Sequence, residues 1–327
     1  MKGKKEYIIV ILLIIGLGVF IWRDRTDQVH YQLPDIQPLE SSEISRIELE
    51  KGNATVRIEK TGQEWVVHPG QFPAQKGKVQ RALQAVADLQ LTALASESGH
   101  YQRYGLDQNS AVHARAYTDQ KQVRALYVGK TASSAGNTYV RLPDYPAVYL
   151  AQSNLRVALD RDKNSFVDKT VLSFSSADIE KIQIVANNDQ LQLSRRQRET
   201  ADQNATASPS SVSNWRDASG GQADKETIDG LLNRLAGLQC QRFMEDKTAD
   251  DFPEPSTHIV LQNDDKLELK LFSGELPEEE GTVAVSSQSE YPFVLSSFNS
   301  QQVVKKVNAL LSENPDKSPE ASSGEGE

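Results

Sequence analysis

Ile44-Ser45-Arg46-Ile47-Glu48-Leu49-Glu50, a turn at Lys51-Gly52-Asn53, and the return through Ala54-Thr55-Val56-Arg57-Ile58 alternate apolar and polar side chains with period two. That period predicts a half-buried hairpin, with the Gly52-Asn53 step as its turn signal. Far downstream, Ile179-Glu180-Lys181-Ile182 opens the same pattern, turns at Asn187-Asn188-Asp189 and returns through Leu191-Gln192-Leu193. The first run reaches Trp65 and the second Trp215. Each tryptophan precedes an amphipathic helix pattern containing Leu-Gln, at Leu89-Gln90 and Leu238-Gln239. Asp144-Tyr145-Pro146-Ala147-Val148 is later answered by Glu290-Tyr291-Pro292-Phe293-Val294. Solenoid units span only about 20–50 residues, so this much longer period predicts a duplicated domain.

The first copy is expected over residues 44–172 and the second over 173–311. In the first, strands are expected at 44–50, 54–60 and around Trp65-Val66-Val67. Residues 76–90 form a helix with Val79, Ala82, Leu83, Val86 and Leu89 on one face. Strands at 111–118, 122–128, 137–142 and 146–150 and a helical segment at 153–159 complete it. The second copy places Ile228, Leu231, Leu232, Leu235 and Leu238 on its helix face. Strands follow near 257–262, 266–272, 282–286 and 292–296, then a helix over 299–311. Strands in runs with few helices between them predict an α+β fold with mainly antiparallel sheets. A Ser/Ala/Asn/Gly-rich insertion over 199–224 around Trp215 reads as an extended loop. Residues 312–327 hold five acids against one lysine, the composition of a disordered acidic tail.

At the other end, Ile8 to Trp22 is an unbroken apolar stretch. With Tyr7 it supplies about 24 Å of helix, against a hydrocarbon core of about 30 Å. Lys5 and Arg23 can snorkel to extend it. Lys2, Lys4 and Lys5 ahead of it place the N-terminus in the cytoplasm by the positive-inside rule. Trp22-Arg23-Asp24-Arg25 follows, unlike the small-residue site that a signal peptidase cuts. Residues 1–29 are therefore expected to be a basic N-terminus and an uncleaved transmembrane anchor. Residues 30–43, with Pro34 and Pro38, read as a linker to a body outside the cytoplasm.

Net charge is −9, and no basic patch interleaved with aromatics offsets it, which excludes nucleic acid as a partner. The single cysteine, Cys240, can form no intramolecular disulfide and reads as a buried thiol. His30, His68, His100, His113 and His258 show no zinc-site spacing, and neither a metal nor a cofactor is expected. His113 and His258 fall at matching strand starts, as shared ancestry would place them. Asp250-Asp251, Asp264-Asp265 and Glu278-Glu279-Glu280 lack the spaced oxygens of a calcium loop. Gly129-Lys130-Thr131 ends like a phosphate-binding loop, but the glycine that the motif requires is Arg124, so a structural turn is expected. No nucleophile elbow or cysteine–histidine constellation is visible, and the expectation is a protein that is not an enzyme.

Trp65 with Pro69, Leu89-Gln90-Leu91, Tyr104-Gly105-Leu106-Asp107 and Val128-Gly129 follow one another in an order that resembles the bacterial domain of unknown function 4340. Tyr139-Val140-Arg141, Val148-Tyr149 and Asp168-Lys169-Thr170-Val171-Leu172 continue the resemblance, which covers about residues 44–311. The family implies a membrane-anchored extracytoplasmic protein of the inner membrane, associated with ABC transporters of the gliding-motility type, and assigns no catalytic residues. In the second copy Phe252-Pro253-Glu254-Pro255 stands where Tyr-Gly-Leu-Asp would be. The resulting expectation is an accessory subunit acting beside ABC permease subunits. The alternative is an envelope module binding a glycan, peptide or lipid in a cleft between the repeats. Trp65, Tyr101, Tyr104 and Tyr139 are the candidate ligand or partner contacts, and core or turn packing is the competing role for each.

Overall fold

A computed structural model of the chain describes residues 14–17, 19, 31–133, 136–195 and 215–313. Of the expected span over residues 7–22, only 14–17 and 19 are described, and these are helical. Among the described residues no helix is long and apolar enough to cross a membrane. The acidic tail from 314 onward lies outside the described residues, as does 196–214 of the insertion. The chain divides into two compact units, Met1–Val167 and Asp168–Glu327. Both are built mainly of antiparallel sheet with a few helices.

The first unit contains β1 (Arg46–Lys51), β2 (Ala54–Thr61), β3 (Glu64–His68), β4 (Phe72–Pro73), β5 (Leu91–Ser96), β6 (Val112–Thr118), β7 (Lys121–Thr131), β8 (Thr138–Arg141) and β9 (Val148–Ala151). These form one nine-stranded sheet in the order β4-β3-β2-β1-β6-β7-β8-β9-β5. Alternation decides its two faces. Ile47, Leu49, Val56, Ile58, Ala114, Ala116, Leu126, Val128 and Val140 turn inward and are buried. The Lys76–Ala87 helix covers them with Val79, Ala82, Leu83 and Val86, spaced three and four residues apart on one side. Burying an aliphatic side chain of this size stabilises by about 1.5–3 kcal/mol. The opposite face carries Arg46, Glu48, Glu50, His113, Arg115 and Tyr117. There Arg115 bridges Glu48 at 3.3 Å and Glu50 at 3.1 Å, and the Tyr117 hydroxyl donates to Glu48 at 3.0 Å.

The second unit contains β10 (Thr170–Ser173), β11 (Lys181–Ala186), β12 (Asp189–Arg195), β13 (Trp215–Asp217), β14 (Gly237–Gln239), β15 (Arg242–Phe243), β16 (Thr257–Gln262), β17 (Lys266–Phe272), β18 (Thr282–Ser286) and β19 (Phe293–Leu295). Eight of them form a sheet in the order β13-β12-β11-β16-β17-β18-β19-β15, and β10 pairs with β14. With β4 set aside, this order matches the first sheet position for position: two hairpin arms, then β11 beside β16 where β1 lies beside β6. Asp224 accepts from the Thr227 amide at 2.8 Å and starts the Lys225–Leu235 helix. That helix and Ser297–Ser312 pack together and bury Ile228, Leu231, Leu232, Leu235, Val303 and Val307.

Several boundaries differ from the expectation. The helices stop at Ala87 and Leu235, so both Leu-Gln pairs lie beyond them, and Leu238-Gln239 is part of β14. Leu238 continues the helical spacing, but it is buried as a strand residue opposite Leu172. Thr170 to Leu172, placed at the end of the first copy on sequence, thus pair with β14 in the second unit. The insertion does not read as loop throughout. Trp215 opens β13, pairs with Arg195 and is fully buried, as Trp65 pairs with Lys60 in the first unit. Gly129-Lys130-Thr131 is the end of β7, bulged against β8, and not a turn.

Leu83→Ala and Leu232→Ala should each cost about 2–5 kcal/mol, from lost transfer energy plus the cavity left behind. The exposed helix neighbours Gln84 and Asn233 should tolerate alanine within about 0.5 kcal/mol. Calorimetric melting of the four variants checks this. A Leu83→Ala variant as mild as Gln84→Ala would refute the placement of the helix on the sheet.

Candidate functional site

The 3₁₀ turn Tyr101–Tyr104 enters the outer side of the first sheet and is ended by Gly105 in the left-handed region, at φ 64°. The Leu106 amide closes back on the Tyr101 carbonyl at 2.9 Å. Asp107 then accepts from the amides of Asn109 and Ser110, each at 3.2 Å. The Ser110 hydroxyl bond holds the Asp107 carboxyl below the usual carboxylate range. This turn lies directly on β7. A side chain at Gly129 would collide with the Tyr104 carbonyl and stand 2.9 Å from Leu106 Cγ, and a Cβ on Gly105 comes within 3.1 Å of the Lys130 amide. Gly129 therefore lacks a side chain because the turn occupies that space. Its resemblance to a phosphate loop comes from packing.

Beneath the turn, register assembles what sequence distance separates. Glu50 on β1 pairs with His113 on β6, His113 with Tyr127 on β7, and Tyr127 with Arg141 on β8. Side chains directly opposite on one face interact. The His113 and Tyr127 rings stack at 4.2 Å and 12°. The Arg141 guanidinium lies 3.9 Å from the centre of the Tyr127 ring and 4.9 Å from that of Tyr101. The Tyr101 hydroxyl donates to the Pro146 carbonyl at 3.0 Å, which fixes that ring. Together with Gly52, Leu106, Asp107, Gln108 and Ala111 these residues line a pocket of about 390 Å³, within the range of small-molecule sites.

Charge in the pocket is uneven. Glu50 is engaged by Arg115, and Asp107 by its own turn. Arg141 has rings for neighbours and no carboxylate partner among the described residues, and its Nε is buried without a hydrogen bond. Burial, then the positive charge of Arg115, lowers the His113 pKa below the ordinary histidine value, with Arg141 adding to the effect. Both effects favour the neutral imidazole of His113 over its charged form.

Of the four aromatic candidates, Tyr101 forms a pocket wall. Tyr104 and Tyr139 pack against each other at 4.8 Å beside it and brace the turn. Trp65 is not brought to them: it alternates with the buried Val67 on β3, at the far side of the sheet. Glu50, His113, Tyr127 and Arg141 were not singled out on sequence as contacts. The usable signal was their shared outward parity, together with Arg141 in the Tyr139-Val140-Arg141 motif.

The second unit replaces this pocket. By strand pairing, Val185, His258, Lys270 and Val285 take the places of Glu50, His113, Tyr127 and Arg141. Phe272 stands where Gly129 does, and Phe252 packs on it at 5.4 Å. Phe252, Phe272 and Val283 form a small apolar cluster joined by Met244, Leu276 and Val285. Nearby, His258 bonds Glu268 at 3.0 Å. Cys240 is buried, and burial pushes its pKa up to about 12, which keeps it protonated and unreactive at neutral pH. Among the described residues no group of three or more His, Cys, Asp or Glu side chains is placed to hold a metal ion.

The family described as Domain of unknown function (DUF4340) matches residues 65–257, and the chain belongs to it. Neither the curated proteins nor the solved structures contain a match. The matched range includes the Tyr104–Asp107 turn, Gly129 and Arg141.

Gly129→Ala should destabilise by about 1–3 kcal/mol, the cost of forcing atoms into a packed site. Gly77→Ala, in open space on the Lys76–Ala87 helix, should instead stabilise by about 0.5–1 kcal/mol. Denaturant unfolding of the pair separates the two. His113 also sets a pH dependence. Its folded pKa lies below the unfolded value near 6.5, so the unfolded chain takes up the proton first as pH falls. The stability owed to neutral His113 is complete above that value and declines below it. His68, likewise lowered chiefly by burial, adds in the same direction. His113→Gln should make the fall in melting temperature between pH 7.5 and 5 shallower. An unchanged slope would refute this.

Proposed function

We propose that the protein is a non-enzymatic accessory subunit, anchored by one N-terminal helix and acting outside the cytoplasm beside the permease subunits of an ABC-type transporter. In this reading the two units are tandem copies of one α+β domain, of which the first recognises a ligand and the second is a packed structural copy. The observation that carries the binding role is the contrast at one register position. Gly129 leaves room for a turn that walls a polar pocket, whereas Phe272 fills the corresponding place with apolar packing. The matching strand order supports duplication. The apolar residues 7–22 behind three lysines support the anchor, and the family resemblance supports the transporter association. The second reading, an envelope module that binds a glycan, peptide or lipid without a transporter, draws on the same pocket.

A reporter active only outside the cytoplasm, fused after residue 311, should be active, and a detergent pull-down of the full chain should recover permease subunits. An inactive fusion overturns the topology. Repeated recovery of the chain without any permease favours the free-standing module.

A further inference from the structure

We propose that the pocket on the outer face of the first sheet binds a carboxylated sugar, with Arg141 taking the carboxylate and Tyr101 on the wall taking the ring. The proposal rests on the binding role given above to the first unit. Arg141 is the pocket's only guanidinium, and no carboxylate of the described residues answers it. Rings on two sides hold it against reorientation. A fixed guanidinium fork matches a carboxylate in two parallel hydrogen bonds, a geometry that an ammonium cannot reproduce.

The remaining lining selects what carries that carboxylate. Tyr127 is covered on both faces by His113 and Arg141, so Tyr101 on the pocket wall is the ring against which the C–H side of a pyranose packs. Gln108 supplies an amide, and Glu50 and Asp107 present carboxylate oxygens that can accept from sugar hydroxyls. The volume suits one or two sugar rings. A peptide fits this place less well. The floor consists of the central strands β1, β6, β7 and β8, whose edges are already paired, so no strand can be added. The lining also offers few apolar side chains for a peptide to fill. The second unit makes the assignment specific to the first: Val285 replaces Arg141, Lys270 replaces Tyr127, and the space is apolar.

The test titrates glucuronate into the full chain and follows the ring protons of His113, which stacks on Tyr127, assigned through His113→Gln. Glucose, acetate and acetyl-alanyl-alanine are titrated in parallel. Glucuronate should give a saturable His113 shift that glucose and acetate do not give at equal concentration. Arg141→Gln should weaken it roughly ten- to a hundredfold, the range of charge-assisted hydrogen bonds. Arg141→Lys should recover only part of the loss. Tyr101→Ala, on the pocket wall and outside the core, should also weaken binding while leaving the melting temperature near that of the parent chain. No His113 shift with glucuronate, equal binding of glucose, or an Arg141→Gln variant that binds as well as the parent chain would overturn the proposal. Equal binding of acetate would reduce the site to a simple anion site and overturn the sugar assignment. Equal or tighter binding of acetyl-alanyl-alanine would overturn it in favour of a peptide carboxylate. None of these outcomes bears on membrane topology, which the fusion reports separately.

Discussion

A wide antiparallel sheet imposes one constraint on the first unit: every second residue must be apolar, and those between must be satisfied on a face that has no helix over it. The first unit meets the second half of that requirement with cross-strand ion pairs and ring stacks. Arg115 clamps Glu48 and Glu50, Arg46 lies 4.0 Å over the Tyr117 ring, and the His113 and Tyr127 rings stack. Such pairs are individually modest, each of order 1 kcal/mol or less. Their structural effect is larger, because they immobilise long side chains in register. A pocket can then be built on that face with little further ordering.

The pocket's wall is a consequence of one missing side chain. The Tyr104–Asp107 turn can lie against β7 only because Gly129 leaves its backbone uncovered. The turn in place sets Tyr101 over Arg141 and closes the space above Tyr127. In the second unit a phenylalanine at the same position excludes a close turn and recruits Phe252 instead. Two surfaces with the same strand order thus differ in chemistry through a local steric choice.

Much of the fold was legible because period two survives in long strands. The hairpins at Arg46–Thr61 and Lys181–Arg195 and the β6–β7 and β16–β17 pairs fell where alternation put them. Strands of two or three residues, such as β4, β13 and β15, carry no period, and Trp215, although matched to Trp65, was therefore read as part of a loop. Leu238 misled for the opposite reason: its spacing fits the helix, but the chain has already turned into β14 by way of Gly237. The site was legible only in fragments. Tyr101, Tyr104, Gly129 and Arg141 could be noticed singly, whereas Trp65 lies apart from them on β3. Glu50, His113, Tyr127 and Arg141 become neighbours only through register across four strands, which one sequence does not display.

The strands that end each sheet have a consequence for the protein at high concentration. β4 has two residues and carries Pro73, β13 has three, and β15 has two. β5 is longer, but its pairing with β9 slips register twice. An edge becomes a hazard when it offers a long flat row of open amides and carbonyls to another chain. These borders are too short or too irregular to template a neighbouring strand. Sheets of nine and eight strands can therefore sit at high local concentration without growing into one another. Association is left to side chains on their faces, where it can be selective.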